Sequence, residues 1–204
     1  MTLTLWLSLF TVCLLGAMSP GPSLAVVAKH SLAGGRINGL ATAWAHALGI
    51  GIYAFTTLIG LAVVLQQSPF LFKTISYAGA GYLAYLGYQA LRSKGGVVEK
   101  LESGKQTSLY ISAREGLLIS LLSPKIALFF IALFSQYVSA GNNLPAQSII
   151  VLTPFIVDGL WYTLVTFLLS SSRLIEKIRS QASLIDRISG AVLILLAIRV
   201  LLTV

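Results

Sequence analysis

The chain has 204 residues, of which 56% are hydrophobic and only 10% charged, and its mean hydropathy is +0.88. An ordinary soluble domain is about 25% charged, so this chain has too little polar surface to face water all round; its natural solvent is lipid. The net charge of +8 does not point to nucleic acid, because the basic residues sit in short connectors between apolar runs and form no continuous basic face.

A hydrocarbon core about 30 Å thick needs about 20 apolar helical residues. Six stretches qualify: residues 3–28, 37–65, 70–91, 116–138, 147–170 and 185–204. The expected fold is therefore an all-α membrane protein, one transporter domain over 1–204. No Lys or Arg occurs before Trp6, so the basic region of a cleaved signal is missing and the first span is expected to be retained. That span contains Cys13, a single cysteine that closes no intrachain disulfide and reads as a small core residue.

The first span also contains Ser19-Pro20-Gly21-Pro22. Two prolines and a glycine remove backbone donors and break the helical ladder. Irregular backbone survives at membrane depth only where it is buried in protein or lines a watery cavity. The second span, the longest, carries His46. Gly35, Gly39, Gly49 and Gly51, with Gly79, Gly81 and Gly87 of the third span, read as close-contact positions between helices. Tyr82, Tyr85 and Tyr88 read as packing or interfacial residues.

The polar connector 93–113 divides the chain into a first repeat of about 1–92 and a second of about 114–204. The fourth span carries Ser123-Pro124-Lys125, which aligns with Ser19-Pro20 at an offset of 104 residues. Two halves of three spans have opposite topology, and matched Pro-interrupted segments in such halves point to a transport site. The fifth span holds Asp158, Trp161 and Tyr162. After it, residues 171–182 suggest a short helix on the membrane surface, and Ser183 with Asp186 have capping-box spacing before the last span.

The connectors alternate in charge. The first, third and fifth hold eleven Lys and Arg (among them Lys29, Arg36, Arg92, Arg114 and Arg187), while the second and fourth, 66–69 and 139–146, hold none. Cations prefer the cytoplasmic side, so the expectation is an inner-membrane protein with both termini outside.

Counted from the cationic ends of their helices, His46, Lys125 and Asp158 come after about nine, nine and twelve residues, depths that agree within roughly 5 Å. Together with the Ser-Pro-Gly-Pro run they are expected to converge on one cavity. Asp158 reads as the lone carboxylate outside the connectors. It is costly at mid-membrane unless paired, hydrated or protonated, which makes it a proton-coupling candidate. An ion pair with Lys125 is the structural alternative, and Lys125 can instead snorkel toward the cytoplasm. His46 is either a packed residue or a substrate or proton ligand. Trp161 and Tyr162 are candidate pocket walls. No phosphate loop, metal-spaced cluster or nucleotide-binding domain occurs, so neither enzymatic chemistry nor a cofactor or metal is expected. A thiol electron carrier would need a cysteine pair, and a metal-cation exporter more intramembrane ligands.

These residues resemble the LysE/RhtB family of bacterial amino-acid exporters over essentially the whole chain. The resemblance rests on Ser19-Pro20-Gly21-Pro22, Gly35-Arg36-Ile37-Asn38-Gly39, Gly79-Ala80-Gly81-Tyr82-Leu83 with Gly87, and Ser123-Pro124-Lys125 running into Leu128-Phe129-Phe130. It implies efflux of an amino acid or close derivative in exchange for protons. Apart from the resemblance, a homo-oligomer is a candidate assembly. Family substrates include basic amino acids, homoserine and threonine, and branched-chain or sulfur amino acids. Lys125 near the site disfavours a cationic side chain. Family members usually have Asn in place of Ser123 and Pro-Gln-Phe in place of Ser135-Gln136-Tyr137. The substrate-binding set that follows is Ser19, Pro20, Gly21, Pro22, His46, Ser123, Pro124, Lys125, Asp158, Trp161 and Tyr162, with the positive ends of the interrupted helices facing the substrate carboxylate.

Overall fold

The computed structural model describes residues 2–19, 21–92, 108–141, 143–169 and 172–203, with backbone alone for 172–182, 185 and 203. Pro20, and Lys94, Lys100 and Lys105 of the central connector, lie outside the described residues, as do the side chains of Arg173, Lys177 and Arg179. The described chain is helical and contains no strand. Its elements are α1 (Leu3–Met18), α2 (Pro22–Gln67), α3 (Pro69–Arg92), α4 (Leu109–Leu121), α5 (Pro124–Phe134), a 3-10 turn (Val138–Ala140), α6 (Leu144–Leu169) and α7 (Ser172–Thr203).

By length and composition α2 and α6 can each cross a membrane, and α4 with α5 forms a further apolar pair bent by 53°. Leu48, Ile52, Phe55 and Ile59 of α2 and Ile149, Leu152, Ile156 and Leu160 of α6 are all exposed. At three- to four-residue spacing each set is a continuous apolar stripe, a surface suited to lipid and costly in water.

Both expected breaks are present, with one local cause. A residue before proline is pushed out of the helical region. Ser19 accordingly takes ψ 115° as the C-cap of α1, and Ser123 takes ψ 110° as the N-cap of α5, after α4 has stopped at Leu121. Helix resumes at Pro22 and at Pro124, first-turn positions where the missing N–H costs nothing. The carbonyl two residues before each serine would be left without its helical donor, and each meets a tyrosine. Tyr53 of α2 donates to Leu121 O at 2.7 Å, and Tyr162 of α6 donates to Ala17 O over a long 3.5 Å. Ala17 and Leu121 are separated by the same 104-residue offset as the two serines.

Several expected boundaries move. Helix continues to Gly34, so the first connector shrinks to the non-helical Gly35 (φ 75°, ψ −171°) inside α2. A positive φ suits glycine, and nothing lies within 4 Å of where a Gly35 side chain would begin. Gly35 is thus a reversal point and not a close contact. Gly81 is likewise open. The others are contact positions: Gly49 meets Ser120, Gly79 meets Ala132, and Gly87 meets the Gly190 backbone. Helix α4 starts at Leu109, ahead of the expected 116, which brings Arg114 and Glu115 into the helix. Helix α7 runs unbroken through Ser183 and Asp186, with no Gly or Pro between 172 and 189 to stop it, so the expected surface helix is continuous with the last span and no capping box forms. Asp186 is instead a second buried carboxylate, and Asp158 is not alone.

The bundle places α2 against α4 and α6, and α3 against α7. Its main core joins Leu9, Leu58, Leu83, Phe134, Ile150 and Val200 from six helices. Gly116 of α4 sits on the Thr42 carbonyl of α2, a close approach of the two backbones.

Candidate functional site

The two breaks open onto one cavity of about 70 Å³, several times the roughly 10–15 Å³ that one ordered water needs. Of the expected residues, Ser19, Gly21, Pro22, His46, Ser123, Lys125, Asp158 and Tyr162 line it. Pro124 begins α5 without lining the cavity, and Trp161 faces away, packed on the cluster of Leu24, Val27 and Val165. Cys13 is buried as expected and also forms part of the wall.

Asp158 does not pair with Lys125. Its Oδ2 lies 2.7 Å from His46 Nδ1, and His46 Nε2 lies 2.9 Å from Ser23 Oγ. His46 and Asp158 are 1% and 6% exposed, which at this depth demands mutual satisfaction. In the neutral tautomer, Nδ1–H donates to the carboxylate and Nε2 accepts from the Ser23 hydroxyl. The Tyr162 ring stands edge-on to His46 with centroids 5.1 Å apart, fixing the imidazole plane. The result is a hydrogen-bonded serine–histidine–carboxylate chain, a connectivity of the kind able to relay a proton. Ser23 went unnoticed in the sequence, where a serine in the first turn after a proline is unremarkable; its position beside Pro22, at the resumed helix, was the available signal.

Lys125 turns inward. Its Nζ donates to Ser19 Oγ at 3.2 Å and lies 3.6 Å from where a methyl on Gly21 would sit. Snorkelling to the surface is therefore excluded in this conformation. The ammonium and the imidazole–carboxylate pair occupy separate walls of the same cavity.

A second polar cluster lies toward the cationic end. Glu115 Oε2 accepts from Lys29 Nζ at 2.7 Å and lies 2.9 Å from Nε2 of the fully buried His30. His30 Nδ1 is 3.0 Å from Ser112 Oγ, which accepts from Asn38 Nδ2 at 2.9 Å. These bonds tie both limbs of α2 to α4. Read from sequence, residues 29–36 are a cationic connector and this cluster goes unseen; a histidine beside Lys29, at helical continuation from the first span, is the signal.

Residues 14–203 match the LysE type translocators. The chain belongs to the LysE type translocator family. An uncharacterized membrane protein of Haemophilus influenzae is 30% identical over 193 residues, covering 91% of this chain and 90% of the relative. The threonine efflux protein of Escherichia coli is 27% identical over 194 residues, 93% of each chain. The leucine efflux protein of Salmonella choleraesuis is 33% identical over 125 residues, 58% of this chain and 56% of that one. No solved structure gives a significant match. Membership in the LysE type translocator family and the apolar helices make this a membrane protein.

Proposed function

We propose that this LysE-family protein exports an amino acid with a neutral side chain, or a close derivative, from the bacterial cytoplasm by exchange for protons, and that it is not an enzyme. The reading takes the chain as six spans in two inverted three-helix repeats, in the inner membrane with both termini outside. One observation carries it: two Ser-Pro helix breaks, one from each repeat, open on a single cavity that also holds the His46–Asp158 pair. The equal offset of Ala17 and Leu121, each accepting from the second span of the other repeat, supports the inverted arrangement. Relatives named for threonine and leucine efflux support a neutral side chain.

The chemistry follows from charge. The substrate carboxylate takes the Lys125 ammonium and the positive ends of α2 and α5, where Pro22 and Pro124 start new runs. The substrate ammonium takes Asp158. A proton arriving on the His46–Asp158 pair removes the negative charge that holds the ammonium, so proton and substrate compete for one site, and competition for one site is what exchange requires. Ser23 extends the pair toward the start of α2 and gives the proton a path. The Lys29–Glu115–His30 cluster closes the cytoplasmic end, and its opening admits the next substrate.

The test is export from substrate-loaded proteoliposomes, screening amino acids with and without a pH gradient. Gradient-stimulated efflux of at least one neutral amino acid is expected. Efflux indifferent to the gradient would remove the proton exchange, and no efflux of any amino acid would remove the function.

A further inference from the structure

The cavity wall is divided by depth, and the division is the same on four elements. Helix α1 runs toward the cationic end, so Gly16 and Cys13 lie on the far side of Ser19 from that end. The second limb of α2 runs the other way, which puts Ile50 four residues beyond His46. Along α5, Phe129 lies four residues beyond Lys125, and Ile126 and Phe130 flank it. Helix α6 returns toward the cationic end, so Pro154 lies four residues on the far side of Asp158. All of these residues line the cavity. Four helical residues rise about 6 Å. One turn outward of the charged layer the wall is therefore apolar on every one of these helices, and Leu86 and Leu193 complete the lining.

Phe129 sets the size of this upper layer. Its ring rests on the backbone of α1: a methyl built on Gly16 would stand 2.9 Å from Phe129 Cζ, closer than real contacts allow. The ring thus spans from α5 to α1 and is braced edge-on by Phe130, with centroids 5.5 Å apart. The glycine is required here because of the ring, and together they fix how far a side chain can extend.

We propose that this layer is the side-chain subsite, and that the substrate class is an amino acid with an aliphatic or thioether side chain, of the size of leucine, isoleucine or methionine. The assignment rests on the export reading above and narrows it. The zwitterion sits in the lower layer between Lys125 and Asp158, and its side chain points outward between Ile50, Ile126, Phe129 and Phe130. A hydroxyl-bearing side chain such as threonine's or homoserine's would enter a wall with no donor or acceptor among those four side chains, and would lose its water there without a partner. A cationic side chain would do so at greater cost.

Competition decides the matter in the unmodified protein. Proteoliposomes loaded with labelled leucine are assayed for exchange against external unlabelled amino acids. Leucine, isoleucine and methionine are expected to compete at least about tenfold better than threonine, homoserine or serine, the discrimination that an apolar pocket supplies for small side-chain differences. Threonine or homoserine competing as well as leucine would overturn the subsite while leaving amino-acid export standing. Exchange with no amino acid at all would overturn the export reading and this inference with it. In Phe129→Ala the ring no longer reaches Gly16, and tryptophan is expected to gain about tenfold on leucine; an unchanged rank order would remove Phe129 as the size determinant. The panel on the unmodified protein remains decisive if that variant fails to insert.

Discussion

The replacement Asp158→Asn separates coupling from folding. Asparagine keeps the shape and an oxygen 2.7 Å from His46 Nδ1, so the charge-assisted bond becomes a neutral one. Bonds to charged groups contribute about 1.5–3 kcal/mol and neutral ones about 0.5–1.5, giving a loss of about 1–2 kcal/mol. Removing a carboxylate 6% exposed returns part of that, since burying a charge is itself costly. Against a typical stability of about 5–15 kcal/mol the variant should insert and fold. Its transport should change in kind. One proton exchanged per substrate ties 1.36 kcal/mol to each pH unit, a tenfold concentration ratio. In proteoliposomes with a gradient of about one pH unit and the electrical potential clamped, the native protein is expected to hold a ratio near tenfold. In Asp158→Asn the ratio should fall to unity, while downhill movement persists. A variant that still holds the tenfold ratio would refute the assignment of Asp158 to coupling.

Three further outcomes follow from the packing. Gly116→Ala drives a methyl into the Thr42 carbonyl, and because the obstacle is backbone the cost should be at least the roughly 1–3 kcal/mol of overpacking, visible as a lowered unfolding temperature in detergent. Tyr53→Phe leaves Leu121 O without the donor now at 2.7 Å and should destabilise by about 1–3 kcal/mol in the same assay, more than Tyr85→Phe on the exposed face of α3. Glu115→Gln weakens the bonds to Lys29 and His30, and hydrogen exchange across residues 109–116 should quicken by about 5–30-fold, the equivalent of about 1–2 kcal/mol. Unchanged exchange there would show that the cluster does not hold that end closed.

What could be read from the sequence was what local chemistry decides. Proline acts on its immediate neighbours, so the helix breaks at Ser19 and Ser123 were legible, as was the matched pair they form. A carboxylate amid apolar residues announces itself by cost, and Asp158 was found that way. Its partner was not. His46 and Lys125 sit at similar depths, and only the rotation of each helix about its axis, a property of the assembled bundle, selects the imidazole and sends the ammonium to Ser19. The same rotation separates Tyr162, in the wall, from its neighbour Trp161 behind it. His30 and Glu115 were hidden because a charged connector looks solvated until a neighbouring helix covers it. Gly35 was misread for a related reason: the spacing of glycines tells that backbone matters, and not whether the demand is for closeness or for a positive φ.

The two tyrosine hydroxyls bear on how the molecule is made. Each interrupted carbonyl is completed from across residues 93–107, Ala17 by Tyr162 and Leu121 by Tyr53, so neither stretch is chemically finished by itself. Without Tyr162 beside it the Ala17 carbonyl lacks this donor, and a backbone group left unsatisfied at membrane depth costs several kcal/mol. Reciprocal debts of this kind discourage either part from settling alone and reward correct union late in biogenesis.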